Sequence, residues 1–209
     1  MKKLYFLSFL VLSAFLVGFA FYHAENPDKP EDVSPLLVGE VVPDVLLQTL
    51  EGQEVSLKEK LSQKQTVLIF YRGGWCPYCN RQLAGMLNIE EFLLKLNYQI
   101  IAVSPDKSEK LKETADKNKV SYTLLSDKNL EAMQQFGIAY KVNEEVKKRY
   151  VGYGIELTAS PKGEYLLPVP TVMILDKSGK ILFEYINPDY KERLDPNILL
   201  CAAENLAKD

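Results

Sequence analysis

Phe70-Tyr71-Arg72-Gly73-Gly74-Trp75-Cys76-Pro77-Tyr78-Cys79 is the stretch on which the fold turns. An apolar run, Thr66 to Phe70, leads into it. A helical pattern leads out, with Leu83, Met86, Leu87, Phe92, Leu93 and Leu96 at the spacing of one helix face. The sequence thus predicts a buried strand over Thr66–Tyr71 and a helix from about Pro77 to Lys95, with a Cys-x-x-Cys pair where they meet. Unpaired N–H groups and the macrodipole at a helix N-terminus stabilise a thiolate. Pro77 suits the first turn, where its missing N–H costs no hydrogen bond. Cys76, the more N-terminal sulfur, is expected to be the more exposed one and to attack in disulfide exchange. Cys79, one turn further in, would resolve. Arg72 adds positive charge beside them.

Beyond this junction the pattern alternates. Tyr98 to Ser104 reads as a second buried strand, Ser108 to Lys119 as a polar helix, Tyr122 to Leu125 as a third strand, and Lys128 to Phe136 as a short helix stopped by Gly137. Strands alternating with helices predict parallel strands joined by crossover helices. Upstream, Val45–Thr49 and Gln53–Leu57 flank Leu50-Glu51-Gly52 as a hairpin, and Lys58–Leu61 adds a helical turn. Downstream, Thr171–Asp176 and Lys180–Ile186 form a hairpin across Lys177-Ser178-Gly179, and Asp195-Pro196 opens a last helix to about Ala207. Tyr140 to Pro168 is read as an insertion over the core, with Asn143–Tyr150 helical; Tyr150, Tyr153 and Tyr165 read as surface packing first and as the lining of a substrate channel second.

The N-terminus is of another kind. Met1-Lys2-Lys3 precedes an uncharged apolar run, Leu4 to Tyr22. It fits either a signal peptide or a membrane anchor over residues 1–22, with the lysines on the cytoplasmic side and the remaining chain outside. An extracytoplasmic location, periplasmic or secreted, or membrane-anchored with the domain facing outward, is the expectation. Residues 23–38, with Pro27, Pro30 and Pro35 among charged residues, read as an extended linker, leaving one domain over residues 39–209.

Composition closes off several functions. The formal net charge is −3, and no Lys/Arg cluster recurs with aromatics, so nucleic acid is not an expected partner. The one dense basic run, Lys147-Lys148-Arg149, reads as a solvated helix face. His23 is the only histidine and falls in the linker, which excludes multi-histidine metal sites and a histidine base in the domain. Three cysteines are too few for a disulfide framework. Structural zinc, which takes four protein ligands, finds only Cys201 beside the pair. Two-coordinate copper(I) and an inert structural disulfide are the other non-enzymatic readings. Redox chemistry through a reversible Cys76–Cys79 disulfide is the leading one, with no metal and no cofactor. Cys201, in Leu199-Leu200-Cys201-Ala202-Ala203, reads as a small buried hydrophobe.

At these residues the chain resembles known families. Trp75-Cys76-Pro77-Tyr78-Cys79 resembles the active site of thioredoxin-fold oxidoreductases, and Val169-Pro170-Thr171 looks like that fold's cis-proline segment, which shapes the substrate groove. From Gly39 to Ala207 the chain is similar to a peroxiredoxin of the alkyl hydroperoxide reductase/thiol-specific antioxidant group (AhpC/TSA), nearest its PrxQ-like branch. Phe70-Tyr71, Leu124-Leu125-Ser126-Asp127, Phe136-Gly137, Ile174-Leu175-Asp176 and Gly179-Lys180-Ile181 carry the likeness. Leu167-Pro168-Val169-Pro170, Asp189-Tyr190 and Arg193 look like a bacterial subgroup with Arg-Gly-Gly-Trp-Cys-Pro-x-Cys.

The resemblance implies an α/β thioredoxin fold, a central mixed sheet flanked by helices, with an N-terminal β-hairpin extension. It implies a peroxidase that reduces hydroperoxides through the Cys76/Cys79 dithiol and is recycled by a thioredoxin-like or other dithiol reductant. Laid on the peroxiredoxin signature, the peroxidatic cysteine falls on Cys79, the signature Thr on Cys76 and its Pro on Arg72. The family's activating Arg falls close to Val169. The thioredoxin likeness gives the first attack to Cys76 instead. It also supports an alternative function, an extracytoplasmic thiol-disulfide oxidoreductase acting on protein disulfides, and the bland third reading is a metal-binding or scaffold protein.

Overall fold

A computed structural model describes residues 25–207. The expectations of a signal peptide or anchor over residues 1–22, and of a bilayer contact through residues 4–22, lie outside the described residues. No helix among the described residues is long and apolar enough to cross a membrane.

The framework is a seven-stranded sheet whose centre is β3 (Gln65–Phe70), β4 (Tyr98–Ser104) and β5 (Thr123–Ser126), paired in parallel with β4 in the middle. A helix crosses over between each pair, α2 (Pro77–Lys95) and α3 (Ser108–Asn118), as parallel neighbours require. On one side β3 pairs antiparallel with β8 (Thr171–Leu175), which turns into β9 (Ile181–Ile186). On the other, the hairpin β1 (Leu46–Gln48) and β2 (Glu54–Ser56) joins β5 through the single pair Gln48↔Ser126. Strand order is β2-β1-β5-β4-β3-β8-β9. The fold is the expected mixed α/β sheet with its hairpin extension.

The two-residue period of a strand explains why β3 reads as a continuous apolar run. Val67, Ile69 and Tyr71 face one layer, with Leu83, Met86 and Leu93 of α2 and Leu199 and Ala203 of α6 (Pro196–Leu206). Leu68 and Phe70 face the other, with Leu57 and Leu61 of α1 (Leu57–Leu61) and Ala132 and Met133 of α4 (Glu131–Gln135). Each such side chain, buried completely, contributes about 1.5–3 kcal/mol relative to exposure. This two-faced core holds the C-terminal end of β3, and hence the dithiol loop, in place.

The insertion holds a structure that periodicity did not show. β6 (Ala139–Lys141) and β7 (Leu166–Pro168) pair antiparallel as a separate two-stranded sheet, with α5 (Glu144–Gly152) between them. Residues 25–38 hold a single 3-10 turn, Pro30–Asp32, and they dock on the domain. The Lys141 N–H donates to the Pro27 carbonyl at 2.8 Å and the Leu36 N–H to that of Phe136 at 3.2 Å. Gly137 has φ +68°, and a Cβ there would lie 2.0 Å from the Ser34 carbonyl oxygen. Only glycine permits that approach.

Two expectations need correction here. The Val169–Pro170 bond is trans, and there are no cis peptide bonds among the described residues. Val169 donates to the Ile138 carbonyl at 2.8 Å, and β7 and β8 fix the chain on either side, so the segment is seated in the ordinary trans form. Cys201 is exposed rather than buried. The inward positions of α6 are Leu199 and Ala203, and a residue midway between two such positions faces away from the core.

Candidate active site

The β3 chain leaves the sheet at Phe70 and enters α2 at Pro77 after a tight loop. Gly73 takes φ +142°, and a Cβ on Gly74 would lie 1.9 Å from the Thr114 hydroxyl on α3. The two glycines let the loop lie flat on the end of α3. There the Gly74 N–H donates to the Asp106 carboxylate at 2.7 Å, and Asn80 Nδ2 donates to the Gly74 carbonyl at 2.8 Å. Asp106 is buried, and that burial pushes its carboxyl up to about 6.

Cys76 is the N-cap of α2 with extended backbone, Pro77 follows at the first helical position, and Cys79 lies within the first turn. Both are free thiols. The predicted contrast in exposure is slight, with Cys76 1% and Cys79 0% exposed. Their protons nevertheless differ. A hydrogen bond from the Cys79 thiol, aided by the Arg72 and Arg193 charges, outweighs burial and brings Cys76 down to about 6. Burial, together with the hydrogen bond given to Cys76, pushes Cys79 up. The pair therefore loses one proton readily and shares the other, with the negative charge on Cys76.

Two guanidinium groups flank the sulfurs. Arg193 Nη2 lies 3.6 Å from Cys79 Sγ. Arg72, 3% exposed, donates to the Tyr150 hydroxyl and is held over three rings, 4.1 Å from the Tyr190 centroid, 5.1 Å from Trp75 and 5.8 Å from Tyr150. Among the described residues no carboxylate pairs with either arginine. The Nε of each is buried without a hydrogen-bond partner. The rings close over the loop. Trp75 packs against Tyr150 from α5 with centroids 5.1 Å apart and planes inclined by 51°, and Tyr78 meets Tyr190 edge-on at 5.8 Å. Pro170 and Thr171 open β8 beside β3, with Thr171 paired to Phe70 and its hydroxyl donating to the Val169 carbonyl at 2.9 Å.

Of the residues singled out in the sequence, Cys76, Cys79, Arg72, Trp75 and Pro77 come together in one loop. Pro170 and Thr171 frame it from the neighbouring strand. Of the three tyrosines read as surface packing or as a channel lining, Tyr150 lies at the site, whereas Tyr153 is 71% exposed and Tyr165 packs on Lys147. Arg193 and Tyr190 entered only through a family likeness. They arrive from more than a hundred residues away, and no local pattern could have placed them. Arg193 brings a guanidinium to Cys79 from a segment other than the one around Val169, where the resemblance led an arginine to be expected.

Comparison with known proteins now decides the family. Residues 38–183 match the model of the AhpC/TSA family. The chain belongs to the AhpC/TSA family. This AhpC/TSA protein is 34% identical to peroxiredoxin Bcp of Escherichia coli K12 over 107 residues, 51% of this chain and 67% of that one. It is 27% identical to the thiol-disulfide oxidoreductase ResA of Bacillus thuringiensis over 187 residues, 89% of this chain and 88% of that one. In structure it is similar to peroxidoxin BcpB of Mycobacterium tuberculosis (TM-score 0.65, 19% identity, 81% of this chain and 97% of that one). It is similar also to reduced Prx3 of Vibrio vulnificus in complex with hydrogen peroxide (TM-score 0.66, 18% identity, 80% and 99%). These two likenesses show the thioredoxin-type fold of peroxiredoxins. The AhpC/TSA protein is an oxidoreductase.

Proposed function

We propose that this protein is a dithiol peroxidase acting on small hydroperoxides. The observation that carries the reading is the pair of guanidinium groups, each with a buried N–H lacking a partner, on either side of a thiol pair poised to hold one negative charge. A peroxide offers those donors its two oxygens. The Cys76 thiolate attacks the distal oxygen, the S–O bond forms and the O–O bond breaks. The departing alkoxide or hydroxide takes a proton and leaves as alcohol or water, stabilised by the guanidinium charge as it forms. Cys76 is then a sulfenic acid. Cys79 attacks its sulfur, the S–S bond forms, and the hydroxyl leaves as water with the proton Cys79 gives up. A thioredoxin-like or other dithiol donor returns two electrons and two protons, becoming a disulfide itself and restoring both thiols. We further propose that the cycle runs outside the cytoplasm, in soluble or membrane-anchored form, a reading supported by the apolar sequence of residues 4–22 behind two lysines.

A second reading is a thiol-disulfide oxidoreductase acting on protein disulfides, favoured by the Cys-Pro-Tyr-Cys spacing and the nearly full-length likeness to ResA. Cys76 would again attack first. The covered sulfur favours the small substrate. Reduced protein mixed separately with hydrogen peroxide and with insulin separates the two. Rapid loss of two thiols to peroxide supports the peroxidase. Insulin reduction without peroxide consumption replaces it.

A further inference from the structure

The insertion between β6 and β7 delivers one side chain to the site, and its helix does nothing else for the core. No residue of α5 is buried. Its start is fixed by the Asn143 side chain accepting from the Val146 N–H at 2.9 Å. Val151 in its last turn and Tyr153 just past it are 63% and 71% exposed, and Gly154 then takes φ +72° with open space where a Cβ would be. Tyr150, half-buried, points to the site. Its ring lies on Trp75, the neighbour of Cys76, and its hydroxyl accepts from Arg72. Lys147 packs over Tyr165 within the insertion, and Tyr150 is the α5 residue that touches the dithiol loop.

We propose that Tyr150 is a specificity-determining residue, the part of a cover that admits a hydroperoxide to Cys76 and turns protein disulfides away. The inference rests on the peroxidase reading and names what enforces it. Disulfide exchange brings the substrate's two sulfurs into line with the attacking sulfur, and a protein disulfide carries its backbone and flanking side chains with it. A hydroperoxide needs room for two oxygens. At 1% exposure Cys76 cannot meet the first demand, and the second asks only for a small local opening of its cover. Tyr190 and Tyr78 meet edge-on beside the same loop from the body of the domain, whereas Tyr150 comes from a helix with no buried residue. The phenol also sets the Arg72 guanidinium, so Tyr150 positions a donor as well as blocking a path.

The test uses the full-length reduced protein, single turnover, and two oxidants, hydrogen peroxide and insulin. In Tyr150→Ala the rate with insulin rises about tenfold or more, the change a modest loss of barrier produces, and the rate with peroxide does not rise. Tyr150→Phe keeps the ring and loses the hydroxyl. It excludes insulin as the parent does, but oxidises more slowly with peroxide because Arg72 has lost one of its phenol acceptors and keeps only Tyr140. An unchanged insulin rate in Tyr150→Ala, with a native circular dichroism spectrum, overturns the proposal. A second measurement needs no variant. Iodoacetamide should alkylate Cys76 of the parent protein while a polyethylene-glycol maleimide modifies only Cys201, as mapped by mass spectrometry. Equal modification of Cys76 by both reagents also overturns it. Failure of the parent to react with peroxide would instead remove the peroxidase reading, which the insulin comparison leaves separate.

Discussion

Replacing Arg193 by Met separates the two cysteines' roles. Arg193 Nη2 stands 3.6 Å from Cys79 Sγ and is half-buried. Cys79, pushed up by its burial, must give up its proton to attack the sulfenic sulfur of Cys76, and the guanidinium stabilises the charge that appears. Two unit charges at that distance interact by about 5 kcal/mol at an effective dielectric near 20, an upper bound. Solvent at a half-buried group reduces this, and a charge-assisted hydrogen bond contributes about 1.5–3 kcal/mol net. That corresponds to roughly 10- to 100-fold in rate. Stopped-flow fluorescence of Trp75, the only tryptophan and the neighbour of Cys76, resolves a peroxide-dependent oxidation and a later, peroxide-independent closure of the disulfide. In Arg193→Met the closure slows by that factor and the oxidation changes less, while Arg193→Lys restores part of the loss. A large fall in the oxidation phase with closure untouched would refute the reasoning. It would give the first attack to Cys79, where the family signature puts it.

Other consequences follow from the same geometry. The oxidation rate should rise with pH through about 6 and level off above, in step with thiolate absorbance at Cys76, because the group is held down to about 6 in the folded protein; Cys76→Ser removes both signals. Since a depressed acid stabilises the fold only while ionised, Cys76's contribution is present above a free thiol's range and fades as pH falls through 6. Asp106, raised to about 6 by burial, acts in the opposite sense. It favours the fold below the ordinary carboxylate range and loses that contribution as pH rises through 6, so Asp106→Asn should flatten the fall in melting temperature from pH 4 to 6. Gly74→Ala puts a Cβ 1.9 Å from the Thr114 hydroxyl and should cost about 1–3 kcal/mol in a denaturant titration, much of it recovered by adding Thr114→Ala. Cys201→Ser should leave turnover unchanged, because that thiol is exposed on a helix outside the site.

The sequence shows most clearly what depends on near neighbours. The α2 boundaries, Pro77–Lys95, agree with the periodicity of Leu83, Met86 and Leu93. The three parallel strands follow from alternation with helices, since a parallel pair needs a crossover. The dithiol at the helix start is legible for the same reason, being five consecutive residues long. What stayed hidden is whatever tertiary packing delivers from far along the chain. β6 and β7 are three residues each, too short for a period to show, and Tyr140 to Pro168 therefore read as one loose insertion. Tyr150 carries no local mark distinguishing it from Tyr153, three residues away and exposed. Arg193 reaches Cys79 only because the segment before α6 folds back over α2. The misplaced Cys201 shows how an apolar sequence neighbourhood conceals which face of a helix a residue takes.

The most direct test is a single turnover of the reduced protein with one equivalent of hydrogen peroxide, followed by Trp75 fluorescence and intact mass. The account predicts rapid oxidation, loss of two hydrogens in mass as the Cys76–Cys79 disulfide closes, and full recovery with a dithiol. A protein that leaves peroxide untouched, with both thiols still free, while it reduces insulin disulfides would contradict it.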